Sequence, residues 1–104
     1  MANLLFICSK NQWRSPTAEG LFKGHQVHHA RSAGTSDRAR IKLNQRLMDW
    51  ADVILVMEYK HRDIVKQQFN LQDKPVIVLN IEDDYQFNDP ELVEILKLAL
   101  ADWL

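Results

Sequence analysis

The chain has 104 residues, 46% of them hydrophobic, and its 13 Lys and Arg against 14 Asp and Glu give a formal net charge of -1. That is enough apolar material for one compact core, predicting a single domain over residues 1–104, and it supplies no overall charge to draw the chain to nucleic acid or an anionic membrane. One cysteine excludes an internal disulfide, and an apolar N-terminal run that stops at Cys8 is too short for a signal peptide or a membrane span, so a cytoplasmic location is expected.

In chain order, Leu4-Leu5-Phe6-Ile7 is the first continuous apolar run and reads as a strand buried on both faces. A helix follows from about Pro16 to Lys23, with Ser15 as its cap and Pro16 at its first position. A weaker strand is predicted over 27–33, ahead of a turn at Gly34-Thr35. His28 and His29 then face opposite sides of that strand, so no metal site is predicted with His25. Leu43, Leu47, Trp50 and Ala51 have helical spacing, and Val53 to Met57 is a second buried strand. A third helix carries Lys60 and Arg62, whose charges, like those of Lys42 and Arg46, read as solvated faces. Val76 to Leu79 is the last strand. Leu92, Ile95, Leu96, Ala99, Leu100 and Trp103 mark a final helix, capped by Asp89 and opened by Pro90. Four strands alternating with four helices, joined by right-handed crossovers, predict an α/β fold: a three-layer α/β/α sandwich on a four-stranded parallel sheet ordered 2-1-3-4. Three glycines form no nucleotide-binding motif, so no cofactor is implied.

Ligands of open α/β sheets bind beyond the carboxyl ends of the strands. The loop there, Cys8-Ser9-Lys10-Asn11-Gln12-Trp13-Arg14-Ser15, runs directly into the first helix. A loop feeding a helix N-terminus offers free backbone N–H groups and the positive end of the helix dipole, which together bind phosphate. Arg14 adds a planar fork for two phosphate oxygens. The same field stabilises a thiolate at Cys8, making it a nucleophile.

The stretch from Leu5-Phe6-Ile7-Cys8 through Arg14-Ser15-Pro16-Thr17-Ala18-Glu19 resembles the low-molecular-weight protein tyrosine phosphatases, whose loop has the form Cys-x5-Arg-Ser after the first strand. Ser32-Ala33-Gly34-Thr35 is similar to the family's segment after its second strand, although a few tens of residues are missing between Thr35 and Ile41. The resemblance implies that Asn11 braces the loop and that the Ser15 hydroxyl meets the nucleophilic sulfur. It also implies a histidine behind the asparagine; that segment is missing, and Asp37 is the nearest counterpart. Lys10 stands where relatives often have glycine, and Trp13 replaces a second cysteine, which rules out protection by a disulfide.

Thiolate attack on a phosphate monoester needs an acid for the leaving oxygen and later a base for water. Ile81-Glu82-Asp83-Asp84-Tyr85 is similar to the family's Ile-Glu-Asp-Pro-Tyr pattern and implies Asp83 as the acid, with Asp84 as its alternative. Strand four lies two positions from strand one, roughly 10 Å away, a gap the loop can cross. The reading is therefore hydrolysis of a phosphate monoester, on a phosphotyrosine protein or a small aryl phosphate, through a phosphocysteine intermediate. Cys8, Arg14 and Asp83 are the catalytic candidates. Ser9, Lys10, Asn11, Gln12, Trp13, Ser15 and Tyr85 are the substrate-binding candidates, with no metal. The rival readings are a non-catalytic phosphate or phosphopeptide-binding module and an arsenate reductase that uses an external thiol.

Overall fold

The structure, a computed structural model, describes residues 1–104. Its order is β1 (Asn3–Cys8), α1 (Arg14–Leu21), β2 (His29–Gly34), α2 (Gln45–Trp50), β3 (Val53–Val56), α3 (Tyr59–Gln68), β4 (Val76–Val78) and α4 (Pro90–Ala99). All strand pairs are parallel and the sheet is ordered β2-β1-β3-β4.

The continuous apolar runs follow from burial on both sides. Leu4, Phe6 and Cys8 of β1, with Val53 and Leu55 of β3, point into one cluster completed by Ala18, Phe22, Leu92, Leu96 and Leu100 from the α1 and α4 side. Leu5 and Ile7, with Ile54 and Val56, point the other way, against Met48 of α2 and Val65 of α3. Successive residues of a strand face opposite sides, so a sheet with helices on both faces needs apolar residues at every position.

β2 differs. It is an edge strand paired only with β1, and its first residues, His29 and Arg31, are exposed. It begins at His29, two residues later than predicted, so His28 precedes the strand. α2 likewise starts at Gln45, with Asn44 accepting a hydrogen bond from Leu47 N–H at 2.9 Å; Leu43 packs ahead of the helix, and Lys42 lies outside any helix, bridged to Gly34. α4 ends at Ala99, leaving Trp103 in the turn beyond it. The Asp89 cap and Pro90 opening of α4 are as predicted.

The carboxyl ends of β1, β3 and β4 share one edge of the sheet and are laced together just beyond the strands. Met57 N–H donates to Ile7 C=O at 2.9 Å and Ile81 N–H to Met57 C=O at 2.8 Å. The segments after these strands therefore meet above Cys8.

Candidate active site

Cys8 ends β1 buried, and the chain then folds back over its sulfur. Asn11, in the left-handed region with φ 56°, turns its backbone N–H onto Cys8 Sγ at 3.3 Å. The Ser15 hydroxyl lies 3.0 Å from the same sulfur. Ser15 is therefore inside α1, and its expected capping role is a mistaken one: α1 opens at Arg14, and the hydroxyl is drawn to the sulfur instead of to a helix amide.

The hydroxyl's direction is set from behind. The Asn11 side-chain amide donates to Ser15 Oγ at 2.8 Å and to Ser32 Oγ at 2.8 Å. Ser32 in turn donates to the Glu19 carboxylate. With Ser15 accepting from Asn11, its own proton lies between Ala33 C=O, 3.4 Å away, and the sulfur, 3.0 Å away, and a sulfur anion is the nearer and stronger acceptor. Asp37 takes no part in this bracing, because it lies on the surface in a 2.7 Å pair with Lys42. That pair holds the Asp37 carboxyl below its ordinary range. No other group fills the histidine's place: Asn11 Oδ1 is buried without a hydrogen-bond partner. From outside the loop, Arg40 Nε donates to Asn11 C=O at 3.1 Å, and Arg40 N–H to Lys10 C=O.

Arg14 is only 2% exposed, and a buried guanidinium requires partners. Its Nη1 donates to Glu58 Oε2 at 2.6 Å and to Ile81 C=O at 2.7 Å. Those two bonds hold the Nη1 end and leave Nη2, and Nε with Asp83 3.6 Å away, without hydrogen-bond partners. Burial pushes the Glu58 carboxyl up, but the hydrogen bond and charge of Arg14 outweigh it and hold the carboxyl below its usual range.

Beside Glu58, His61 is fully buried. Its Nδ1 accepts the Glu58 backbone N–H at 3.1 Å, so the neutral ring carries its proton on Nε2 and donates it to Ser9 Oγ at 2.8 Å. Burial, helped by the nearby Arg14 charge, lowers its pKa to about 4.

The resulting cleft, about 100 Å3, is lined by Cys8, Ser9, Lys10, Gln12, Trp13, Arg14 and Asp83. The Asp83 carboxylate sits 3.6 Å from Arg14 Nε and its side chain is 54% exposed. Asp84 is exposed outside the cleft. Asn11 and Ser15 lie behind the loop, fully buried, so they form no part of the cleft wall. Tyr85 is also elsewhere: it packs against the α1 and α4 side of the core. Partial burial and the surrounding carboxylates push its phenol pKa up.

Four participants escaped sequence reasoning: Glu58, His61, Ser32 and Glu19. Glu58 and His61 directly follow β3, the neighbour of β1 in the predicted order, and that position was the available signal. Two hydrogen-bond donors on a sulfur, a guanidinium edge without hydrogen-bond partners and a carboxylate beside it can bind a phosphoryl group, attack it and move a proton.

No protein-family model matches the chain. It is 30% identical to a protein-arginine-phosphatase of Bacillus subtilis, an alignment covering 74% of this chain and 69% of the relative. The structure of a variant of the arginine phosphatase YwlE with a phosphorylated active-site serine is 26% identical, with a TM-score of 0.71, covering 95% of this chain and 94% of the other. The low-molecular-weight protein tyrosine phosphatase of Streptococcus pyogenes shares the fold with a TM-score of 0.81 at 20% identity, over 100% of this chain and 91% of the other.

Proposed function

The chain belongs to the low-molecular-weight protein tyrosine phosphatase family, a family of cysteine-based phosphatases, and we propose that it hydrolyses phosphotyrosine on proteins through a phosphocysteine intermediate. The observation that carries this reading is the meeting of Cys8, Arg14 and Asp83 in one cleft. The Cys8 thiolate attacks phosphorus while the bond to the leaving oxygen breaks, and Asp83 gives that oxygen its proton. Asp83 then takes a proton from water as the water attacks phosphorus, and the bond to sulfur breaks to release phosphate. The Arg14 fork and the loop amides hold the equatorial oxygens throughout. Ser9, Lys10, Gln12 and Trp13 contact the phosphate or the group bearing it, and Asn11 and Ser15 set the loop from behind. One phosphatase domain spanning residues 1–104 suffices for this chemistry, and none of its steps calls for a metal.

Phosphoarginine is the second reading. A relative 30% identical is a protein-arginine-phosphatase, and the polar Gln12, which lines the same cleft as Asp83, suits a guanidino leaving group as well as a phenol.

A pH–rate profile on p-nitrophenyl phosphate and on phosphotyrosine and phosphoarginine peptides tests both. Cys8→Ser is expected to abolish turnover. Asp83→Asn is expected to lose about 10²-fold or more in kcat, the usual contribution of a positioned acid, while Asp84→Asn stays within about twofold. A Cys8→Ser enzyme with full turnover overturns the mechanism, and a larger loss at Asp84 than at Asp83 reassigns the acid. The peptide with the higher kcat/KM identifies the substrate.

A further inference from the structure

The charges of this chain balance in total but not along its length: residues 1–50 hold eight of the thirteen basic residues and three of the fourteen acidic ones. Three of those eight basic residues line a broad, open groove of about 1020 Å3 beside α1 and β2. Lys23, Arg31 and Arg40 line it with three histidines, and Glu19 is its one carboxylate. Glu19 is already occupied by the Ser32 hydroxyl.

None of those three cations enters any of the protein's ion pairs. Like charges without counterions around one groove repel, so the groove is stabilised by an anionic occupant. Arg31 is held ready for one. Its guanidinium carbon lies 4.6 Å from the centre of the Trp50 ring, a cation–π contact that anchors the side chain and leaves its N–H groups for carboxylates. The floor of the groove includes Ala30 on the unpaired edge of β2. In a parallel ladder alternate residues bond inward. His29 N–H donates to Ala2 C=O, just ahead of β1, and Thr35 N–H to Cys8 C=O, so the Ala30 peptide groups point outward, as an extended chain requires. The groove adjoins the cleft at Gln12, which lines both.

We propose that the groove binds the acidic flank of a phosphoprotein substrate in extended form while the phosphorylated side chain occupies the cleft at Cys8. The proposal rests on the phosphatase reading above and adds a substrate class to it: phosphosites with Asp and Glu nearby in sequence.

The test uses two peptides around one phosphorylated residue, with Asp and Glu or with Asn and Gln in the flanks, each made as phosphotyrosine and as phosphoarginine. The wild type is expected to favour the acidic peptide roughly tenfold in kcat/KM at low salt, through KM, and to lose the preference as salt is added. The double variant Lys23→Glu, Arg31→Glu is expected to lose the preference while hydrolysing p-nitrophenyl phosphate as the wild type does. Equal rates for the two peptides, or a preference that survives the double reversal, overturn the proposal. If no substrate turns over, the phosphatase reading has failed, and the groove is judged separately by fluorescence anisotropy of the labelled acidic peptide. Saturable binding weakened by the reversal supports docking, and no binding overturns it. Tighter binding of an oligonucleotide of equal charge assigns the groove to nucleic acid instead. Self-association of the chain that the same reversal abolishes assigns it to a second copy.

Discussion

The loop that holds Cys8 is pressed hardest against β2 at Gly34. A Cβ built there would lie 2.5 Å from Ser9 C=O, 2.6 Å from the Ala39 methyl and 3.0 Å from Asn11 N. Two of these neighbours are backbone atoms of the phosphate loop itself, which cannot yield without moving the groups around the sulfur. The same glycine is anchored on its other side, its N–H donating to Ile41 C=O and its C=O accepting from Leu43 N–H. Gly34→Ala is therefore expected to destabilise the protein by about 1–3 kcal/mol, the usual cost of overpacking, and to lower kcat by displacing Asn11 N–H from Cys8. Urea denaturation and steady-state turnover measure the two effects. An unchanged midpoint with wild-type turnover would show that the loop tolerates the displacement.

At the scale of elements, α4 tests a choice between two aspartates. Asp89 stands in a literal Asp-Pro pair, but it caps α4, accepting from Glu91 N–H at 2.9 Å. Asp89→Ala is expected to cost about 1 kcal/mol in urea denaturation and to leave turnover unchanged. A loss of turnover at constant stability would instead make Asp89 the acid. This cap was legible because its signal is local, a capping residue followed by proline and an apolar period. β1 and β3 were legible for a similar reason, since strands buried on both faces are apolar throughout. β2 was misplaced because an edge strand with exposed His29 and Arg31 lacks that run. α1 was misread at its start because a hydroxyl that usually caps a helix here serves a sulfur seven residues earlier. Cys8 and Arg14 share one loop and could be read from spacing. Glu58, 44 residues from Arg14, carries no local mark and becomes visible only once β3 is set beside β1. Asn11 Oδ1, buried without a partner, belongs to the same class, since nothing local in the sequence marks an unpaired atom.

The whole molecule folds around one base that must stay neutral. His61, on α3, is fully buried against the phosphate loop, and the Glu58 N–H that points at its Nδ1 leaves no place for a second proton. An exposed histidine titrates near 6.5, whereas His61 in the fold titrates near 4. Between those values the unfolded chain takes up a proton that the folded chain refuses, so acidification favours unfolding. The stability tied to His61 is complete above pH 6.5 and falls as pH drops toward 4, by about 3 kcal/mol in all. The Glu58 carboxyl, held below its ordinary 4.5, adds its own loss only at still lower pH. In urea titrations from pH 7.5 to 5, wild-type stability is therefore expected to fall below pH 6.5 with a slope approaching about 1.4 kcal/mol per pH unit. His61→Gln keeps an N–H donor for Ser9 but has nothing to titrate, so its profile should be flatter by that slope whatever its absolute stability. Parallel profiles for the two proteins would mean that His61 is protonated in the fold, and that the Ser9 to Glu58 bridge is built differently at neutral pH.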